Sequence, residues 1–303
     1  MAAICEIIGP DGTMASEDES ERFALRWSLP LVDVADPCTG YERARHVTFP
    51  VSPVGDFDYE SKGAGYGRRR RTDPRIASHV IAALGGARTV VNVGAGTGSY
   101  EPGDRRVMAV EPSASMRSQR PLHRAPAVNA RAEQLPFGDD SFDAAMAMVT
   151  IHQWTEPETG MRELRRVSRG PVVILTFDGE ALDRLWLAEY APELIAAEGR
   201  RYPRIESIRE VLGGVTTVTE VPVPFDCVDG FTEAFYGRPE AFLEPDVRRS
   251  QSAWGFVDLT AEDRFVEDLQ ADLSSGRWDR AHGALRTQSE FIGALRLVVA
   301  DCQ

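Results

Sequence analysis

Short apolar runs alternate with amphipathic segments between residues 73 and 178. These runs are rich in β-branched or small apolar residues, which is typical of strands buried on both faces of a parallel sheet. The strands are predicted over residues 89–93, 106–110, 127–130, 144–151 and 172–177. Because helical segments separate the strands, the pattern predicts a doubly wound α/β unit with right-handed crossovers.

Helix signals occupy the connections between these runs. Asp73 followed by Pro74 predicts an N-cap with proline at the first helical position, and Gly85 ends the helix. Thr155 and Glu158 have the spacing of a capping box. Only residues 99–105 separate the first two strands, which predicts a helix of about one turn there.

The pattern changes after residue 178. We predict helices over 182–197 and 205–212, an edge or antiparallel strand over 215–223, a mainly helical segment over 225–293 with a cap at Thr260, and a last strand over 295–300. The final two strands form a hairpin whose long connection is a lid. The predicted organisation is an N-terminal extension (1–55), an α/β core (56–224 and 294–303) and an inserted cap (225–293).

Composition narrows the functional classes. Of the 303 residues, 34 are Lys or Arg and 47 are Asp or Glu, which gives a net charge of −13. Such a field repels nucleic acid and anionic lipid, so neither is expected as the main partner. No apolar run is long enough for a membrane span, and the start of the chain lacks a signal-peptide pattern. Four isolated cysteines suit a reducing cytoplasm, and no metal site is predicted.

The candidate chemistry lies in residues 90–112, VVNVGAGTGSYEPGDRRVMAVEP. A strand leads into Gly94, Gly96 and Gly98, and the next strand ends at Glu111. Glycines there allow a ligand close to the backbone, and a carboxylate at the neighbouring strand end can accept hydrogen bonds from two ribose hydroxyls. A tight turn without a ligand is the alternative for the glycines alone, but the position of Glu111 favours a nucleotide-like ligand.

The spacing GxGxG differs from the GxGxxG of dinucleotide sites, since Ser99 stands where the third glycine is expected. The short connection that follows offers a weak helix dipole, which is poor for a pyrophosphate and adequate for a ligand without phosphates. A nicotinamide-dependent oxidoreductase is therefore the less favoured interpretation.

Four segments together resemble the class I S-adenosylmethionine-dependent methyltransferases of the small-molecule, UbiE-like kind. They are VVNVGAGTG, AVEPSASM, AEQLPFGDDSFDAAMA and the HQW after the fourth strand. The resemblance spans roughly residues 57–178 and 294–301. It implies a Rossmann-like, mostly parallel sheet of seven strands whose last pair is antiparallel, with S-adenosylmethionine as the cofactor and S-adenosylhomocysteine as the product.

The resemblance also implies positions for the cofactor. The glycine segment passes under its methionine part, Glu111 takes the ribose hydroxyls, and Ala132 and Glu133 line the adenine edge. The full set implied to bind the cofactor is Tyr66, Arg70, Asn92, Gly94, Ala95, Gly96, Gly98, Glu111, Pro112, Met116, Ala132, Glu133 and Thr150. Asn92 departs from the acidic residue usual in the family, and Arg131 departs from the usual aspartate.

His152 follows the fourth strand, at the edge where the cofactor crevice is expected. It is our candidate general base, which takes a proton from the methyl acceptor; the alternative is a structural hydrogen bond to a loop carbonyl or a role in orienting Trp154. Trp154 either stacks on a flat substrate or belongs to the core. Tyr236 is a weaker catalytic candidate.

The inserted cap is rich in aromatic residues, which form either its own core or an apolar substrate chamber. Phe235 and Trp254 are the candidates for substrate contact. The run Arg68–Arg71 is interpreted as a solvated helix face, apart from Arg70.

The sequence thus predicts a cytoplasmic methyltransferase, monomeric or homodimeric, acting on a small organic molecule that belongs to secondary metabolism. A non-catalytic S-adenosylmethionine-binding or regulatory module is the alternative. The acceptor, and methylation on oxygen, nitrogen or carbon, stay open.

Overall fold

The structure is a computed structural model that describes residue 58 and residues 66–301. The predicted N-terminal extension, residues 1–55, lies outside the described residues, as do three of the four cysteines. Cys227 is described, and it is a buried free thiol. Among the described helices, none has the length and apolar character needed to cross a bilayer.

A seven-stranded mixed sheet forms the centre of the molecule, in the order β3-β2-β1-β4-β5-β9-β6. Its strands are β1 (Thr89–Val93), β2 (Arg106–Val110), β3 (Ala127–Val128), β4 (Ala144–Met148), β5 (Val172–Phe177), β6 (Val215–Glu220) and β9 (Leu295–Asp301). The first five pair in parallel, whereas β9 lies antiparallel between β5 and β6. This confirms the predicted fold class, the seven strands and the antiparallel last pair.

Helices cover both faces of the sheet. The α-helices before the cap are α1 (Tyr66–Arg69), α2 (Pro74–Ala83), α3 (Ala114–Ser118), α4 (Pro157–Val167), α5 (Leu187–Tyr190), α6 (Pro192–Arg201) and α7 (Ile205–Leu212). Alternate strand residues face opposite layers, so Val90 and Met146 pack toward α2, while Val91 and Ala145 pack toward α4 and α7. Two cores therefore lie on the two sides of one sheet.

The segment between β6 and β9 contains short helices and a small ribbon. The ribbon consists of β7 (Val223–Pro224) and β8 (Glu290–Phe291), which pair antiparallel. Between them lie three α-helices, α8 (Pro245–Arg249), α9 (Leu259–Ser274) and α10 (Arg277–His282), and four 3₁₀ helices, Thr232–Phe235, Pro239–Leu243, Ser252–Phe256 and Gly283–Thr287. We call residues 225–289 the cap. Its boundary as a separate domain remains a prediction.

Several local predictions are corrected. The helix predicted over 182–197 is interrupted, because Pro192 begins a new helix after a 3₁₀ turn and the short α5. The predicted capping box is absent, since α4 begins at Pro157 after Glu156 without a side-chain cap. Asp258 rather than Thr260 caps α9, by accepting from the Ala261 amide.

Two predicted elements near the site also differ. The fourth strand ends at Met148 rather than residue 151, because Val149 adopts a positive φ of 52° and a 3₁₀ turn follows over Ile151–Gln153. The segment 99–105 contains turns instead of a one-turn helix. Tyr100 there has a φ of 62°, and Pro102 and Gly103 disfavour a helix.

The predicted N-cap at Asp73 is confirmed, and it also joins the core to the cap. The carboxylate accepts from the Arg75 amide at 3.0 Å and from the Val228 amide of the cap at 3.1 Å. Burial raises the pKa of this carboxyl, but the hydrogen bonds from Arg75 and these amides outweigh that effect and lower the pKa from 3.8 to about 2.

Replacement of Asp73 by asparagine is expected to lower the free energy of unfolding by about 2 kcal/mol at neutral pH. Because the folded-state pKa is depressed, the contribution of the carboxylate is complete above its unfolded pKa and disappears as pH falls through about 2. Urea unfolding at a series of pH values measures this, with the exposed Asp246→Asn as the matched control. A difference between wild type and D73N that does not shrink in acid would contradict the assignment.

Candidate functional site

Three neighbouring cavities follow the carboxyl ends of the parallel strands. The glycine crevice lies over Gly94–Thr97, and the edge pocket lies between Pro112 and Trp154. The cap chamber lies between Phe177 and Phe231, under the cap. Gln153 lines all three cavities, which therefore lie next to one another around the 3₁₀ turn after β4.

The glycine crevice depends on the backbone of the loop after β1. Gly94 and Gly96 have φ values of +68° and +50°, and Gly98 has +94°. A Cβ on Gly94 would overlap the Thr150 hydroxyl and lie 2.8 Å from Thr150 Cγ2. A Cβ on Gly96 would lie 3.3 Å from Met116 Cε. The loop thus requires glycine both for its conformation and for close packing at its two sides.

Glu111 ends β2 beside this loop and is buried. Its Oε2 accepts from the Gly96 amide at 2.8 Å, and its Oε1 accepts from the Ser113 amide at 2.9 Å. Burial raises the pKa of Glu111, and the two amides oppose that rise. The carboxylate lines both the glycine crevice and the edge pocket, and each oxygen has a second lone pair for a ligand hydroxyl.

Asn92 lies on β1 under the crevice, within a buried polar network. Its Nδ2 donates to Glu101 Oε1 at 3.0 Å, and Arg120 forms a bidentate ion pair with Glu101 at 2.9 and 3.0 Å. Because Glu101 accepts only from the amide nitrogen, it fixes the side-chain orientation of Asn92. Asn92 Oδ1 is buried without a hydrogen-bond partner, so the crevice contains one unsatisfied acceptor.

The edge pocket contains the predicted adenine-edge residues. Ala132 and Glu133 line it together with Pro112, and Glu133 Oε1 accepts from the Glu156 amide at 3.1 Å. Trp154 also lines this pocket, and its ring lies so close to Gly160 that a Cβ there would be 2.5 Å from Trp154 Cε3. Trp154 is not among the lining residues of the cap chamber, so its predicted contact with substrate is not supported.

Two residues ahead of β1, Arg70 and Tyr66, are predicted to contact the cofactor. Arg70 lines both the glycine crevice and the cap chamber, and its Nε donates to Asp229 of the cap at 2.6 Å. Asp229 is buried and also accepts from the Tyr100 hydroxyl at 2.8 Å. Arg70 therefore joins the cap to the crevice. Tyr66 lies in α1, but its side chain is outside the described part of the structure.

His152 lies in the cap chamber and is buried. Its ring packs 4.5 Å from the Tyr202 ring, and its Nε2 lies 3.2 Å from Gln153 Nε2. Burial lowers the pKa of His152 well below 6.5, and the charges of Arg201 and Arg70 lower it further. The imidazole is therefore neutral across the physiological range.

The three aromatic candidates of the cap lie in its core rather than at the cavities. Tyr236 is fully buried, donates its hydroxyl to the Gln288 carbonyl at 2.6 Å and stacks on Phe291. Trp254 packs against Phe265, and Phe235 packs against Phe242. These residues are not among the lining residues of the three cavities, so the catalytic and substrate-contact interpretations of them are not supported. The aromatic enrichment reflects the cap core.

Comparison of the sequence with protein-family models gives a match that covers strands and loops of the site. Residues 91–174 match a family model described as a methyltransferase domain, and this range includes the glycine loop, Glu111 and the 3₁₀ turn after β4. Residues 91–174 form a class I methyltransferase domain. The resemblance found in the sequence is therefore confirmed, and S-adenosylmethionine is the cofactor of this domain.

Three solved structures are similar to this chain. A protein assigned as a methyltransferase of an antibiotic biosynthesis pathway in Anabaena variabilis is 29% identical, with a TM-score of 0.71; the match covers 77% of this chain and 98% of that one. A possible histamine N-methyltransferase of Thermotoga maritima is 23% identical, with a TM-score of 0.41 and coverages of 48% and 72%. The YcgJ protein of Bacillus subtilis is 14% identical, with a TM-score of 0.47 and coverages of 76% and 99%. No curated protein matches the sequence.

The residues of the glycine crevice fit this cofactor. Gly94, Ala95 and Gly96 line the crevice, Glu111 has lone pairs for hydroxyls, and Asn92 Oδ1 is an unsatisfied acceptor suited to an ammonium group. The Asn92 amide oxygen can accept this hydrogen bond, so the acidic residue that is usual at position 92 in the family is not required for the contact.

Sequence reasoning missed Glu101, Gln153, Asp229, Glu233 and Gln251. Gln153 belongs to the HQW segment on which the resemblance rests, but no role at the site was predicted for it. Glu101 follows the glycine loop by three residues, and a buried carboxylate near Asn92 could have been suspected from that proximity. The cap residues gave no signal, since long-range packing brings them to the strand ends.

Proposed function

We propose that this protein transfers a methyl group from S-adenosylmethionine to a small organic acceptor that binds in the cap chamber. The observation that supports this most directly is that the three cavities adjoin one another and share Gln153 as a lining residue. A cofactor in the glycine crevice and edge pocket would direct its reactive end toward a chamber enclosed by the cap. Enclosure excludes water and aligns the reactants, which are the main requirements of this reaction.

The proposed cofactor contacts follow from the geometry. Glu111 accepts from the ribose hydroxyls, Ala132 and Glu133 line the adenine, and Asn92 Oδ1 accepts from the ammonium group. Glu101 is a positioning residue, because it fixes the Asn92 amide through a 3.0 Å hydrogen bond. Arg70 is suited to bind the carboxylate of the cofactor, because its side chain lines the crevice and is oriented by its ion pair with Asp229. Bound S-adenosylmethionine supplies an activated methyl group on sulfur.

The 29% identity to the Anabaena protein supports a place in secondary metabolism, because that protein is assigned to an antibiotic pathway and the match covers 77% of this chain. The proposed acceptor is accordingly a small metabolite. Apolar walls from Phe177, Leu182 and Phe231 suit a molecule with an apolar body.

Parallel thermal-shift measurements with S-adenosylhomocysteine, S-adenosylmethionine and NAD test the cofactor assignment. We expect the first two to raise the melting temperature and NAD to leave it unchanged, since binding to the folded state alone stabilises it. Stabilisation by NAD alone would indicate an oxidoreductase. Binding of the methylated cofactor without transfer to any acceptor would indicate the non-catalytic module instead.

A further inference from the structure

The cap chamber contains an unusual set of buried polar atoms. His152 Nδ1, Glu233 Oε2 and Gln251 Nε2 are all buried without a hydrogen-bond partner, although their residues are each at least nine-tenths buried. All three residues line the same chamber. An unsatisfied buried polar group costs about 1–3 kcal/mol, so a molecule in this chamber that supplies the three missing partners would be bound favourably.

The Gln251 side chain offers donors to the chamber. Its Oε1 accepts from Trp254 Nε1 at 3.3 Å and from the Thr232 hydroxyl at 3.1 Å. An indole nitrogen can only donate, so the amide oxygen must face Trp254 and the amide NH₂ must face away from it. Gln251 Nε2 is therefore available to donate to an acceptor atom in the chamber.

His152 offers a second donor. The amide nitrogen of Gln153 can only donate, so His152 Nε2, at 3.2 Å, acts as the acceptor. The neutral imidazole then has its proton on Nδ1. His152 Nδ1–H is thus a donor to the ligand, and this tautomer cannot accept a proton on that atom.

Glu233 differs from these two groups because it can accept a proton. Its Oε1 accepts from the Ala294 amide at 2.6 Å, which leaves Oε2 unpartnered. Burial raises the pKa of Glu233 from 4.5 to about 7, and the backbone amides of Ala294 and Leu295 and the charges of Arg296 and Arg184 oppose that rise. Across the chamber it faces Arg70, Glu198 and two groups that do not titrate near neutrality, His152 and Tyr202.

We propose that the acceptor is a small hydroxylated molecule methylated on oxygen, with Glu233 as the general base and with Gln251 and His152 donating to a second oxygen of the acceptor. This inference rests on the proposed methyl transfer. A hydroxyl directed at Glu233 Oε2 and a carbonyl or second hydroxyl directed at the two donors would satisfy all three unpartnered atoms, whereas an amine that carries no oxygen would leave the two donors without acceptors.

The step balances without any further reactant. The hydroxyl oxygen forms a bond to the methyl carbon as the carbon–sulfur bond breaks, and the electron pair of that bond goes to sulfur. The hydroxyl proton goes to the Glu233 carboxylate. The products are a methyl ether, S-adenosylhomocysteine and a protonated Glu233, which returns its proton to solvent after release.

Labelled transfer identifies the methylated atom. The protein is incubated with S-adenosylmethionine carrying carbon-13 in its methyl group and with a library of hydroxylated, amine and carbon-acid compounds, and products are analysed by NMR. We expect the label in a methyl ether. Label on nitrogen or carbon would overturn this inference and leave the proposed function standing. Cofactor binding with no labelled product from any compound would overturn both.

Glu233→Gln tests the base with the acceptor so identified. The glutamine oxygen can still accept from the Ala294 amide, so we expect folding and KM to change little, while kcat falls by roughly 10²–10⁴-fold. Glu240→Gln, which removes an exposed carboxylate from the same cap, is the matched control. An unchanged kcat in E233Q would overturn the role of Glu233.

The pH profile of the wild-type protein gives an independent test that needs no variant. Since the base must be ionised, kcat is expected to decline as pH falls below about 7, in line with the pKa of Glu233. The same decline should be absent from the residual activity of E233Q. A wild-type kcat that stays constant between about pH 5 and about pH 8 would contradict the assignment.

Discussion

Replacement of Glu111 by alanine is expected to weaken binding of S-adenosylhomocysteine by about 1–3 kcal/mol, which is roughly a 5- to 150-fold rise in Kd. The carboxylate is the proposed partner of the ribose hydroxyls. It also accepts from the amides of Gly96 and Ser113, so its loss leaves two backbone donors unpaired and loosens the glycine loop. Both effects act on the same ligand surface.

Isothermal titration with S-adenosylhomocysteine measures this change. Glu111→Gln retains one acceptor oxygen and should give an intermediate affinity, while Glu158→Ala, an exposed carboxylate on α4, should bind as the wild type does. An affinity of E111A equal to that of the wild type would show that the carboxylate does not contact the ribose.

Replacement of Gly94 by alanine is expected to abolish detectable cofactor binding and to lower the melting temperature. The residue has a φ of +68°, which costs a residue with a Cβ about 1–2 kcal/mol. The added Cβ would also overlap the Thr150 hydroxyl, so β1 and the turn after β4 would have to separate. At about 2–4 °C per kcal/mol for a domain of this size, the melting temperature should fall by roughly 5 °C or more.

Calorimetry and ligand titration on matched variants separate the cost of the positive φ at position 94 from the cost of the overlap with Thr150. Gly103→Ala lies in the same connection, has no atoms within 4 Å of the added Cβ and should behave as the wild type. Thr150→Ala in the Gly94→Ala background removes the overlapping hydroxyl and should recover part of the stability. Full stability in G94A would contradict the close packing of Thr150 on the loop.

The sheet was largely predictable because its strands are apolar on both faces. Residues 172–177 match β5 at both ends, and the glycine loop and Glu111 lie where the pattern predicts them. The predicted ends of strands and helices were wrong where a single backbone angle or a proline determines the end of the element. Val149 ends β4 early through a positive φ, and Pro192 divides one predicted helix into separate pieces.

The cap could not be predicted in the same way. Its aromatic residues were open to two interpretations, because a core and a chamber have the same composition. Their burial depends on contacts between distant segments, such as the Trp186 indole donating to the Tyr236 carbonyl at 2.8 Å. Glu233 illustrates the same limit, since one buried carboxylate in an acidic chain has no local sequence signature.

The β7–β8 ribbon brings the two ends of the cap together at Val223 and Phe291. An insertion whose ends are adjacent can be exchanged without changing the register of β6 and β9, which flank it in the sequence. We therefore expect homologues to diversify their products by recombination at these two junctions, with the exchanged segment supplying a partner for Arg70 in the position of Asp229. Chimaeric proteins joined there offer a practical route to new regioselectivity.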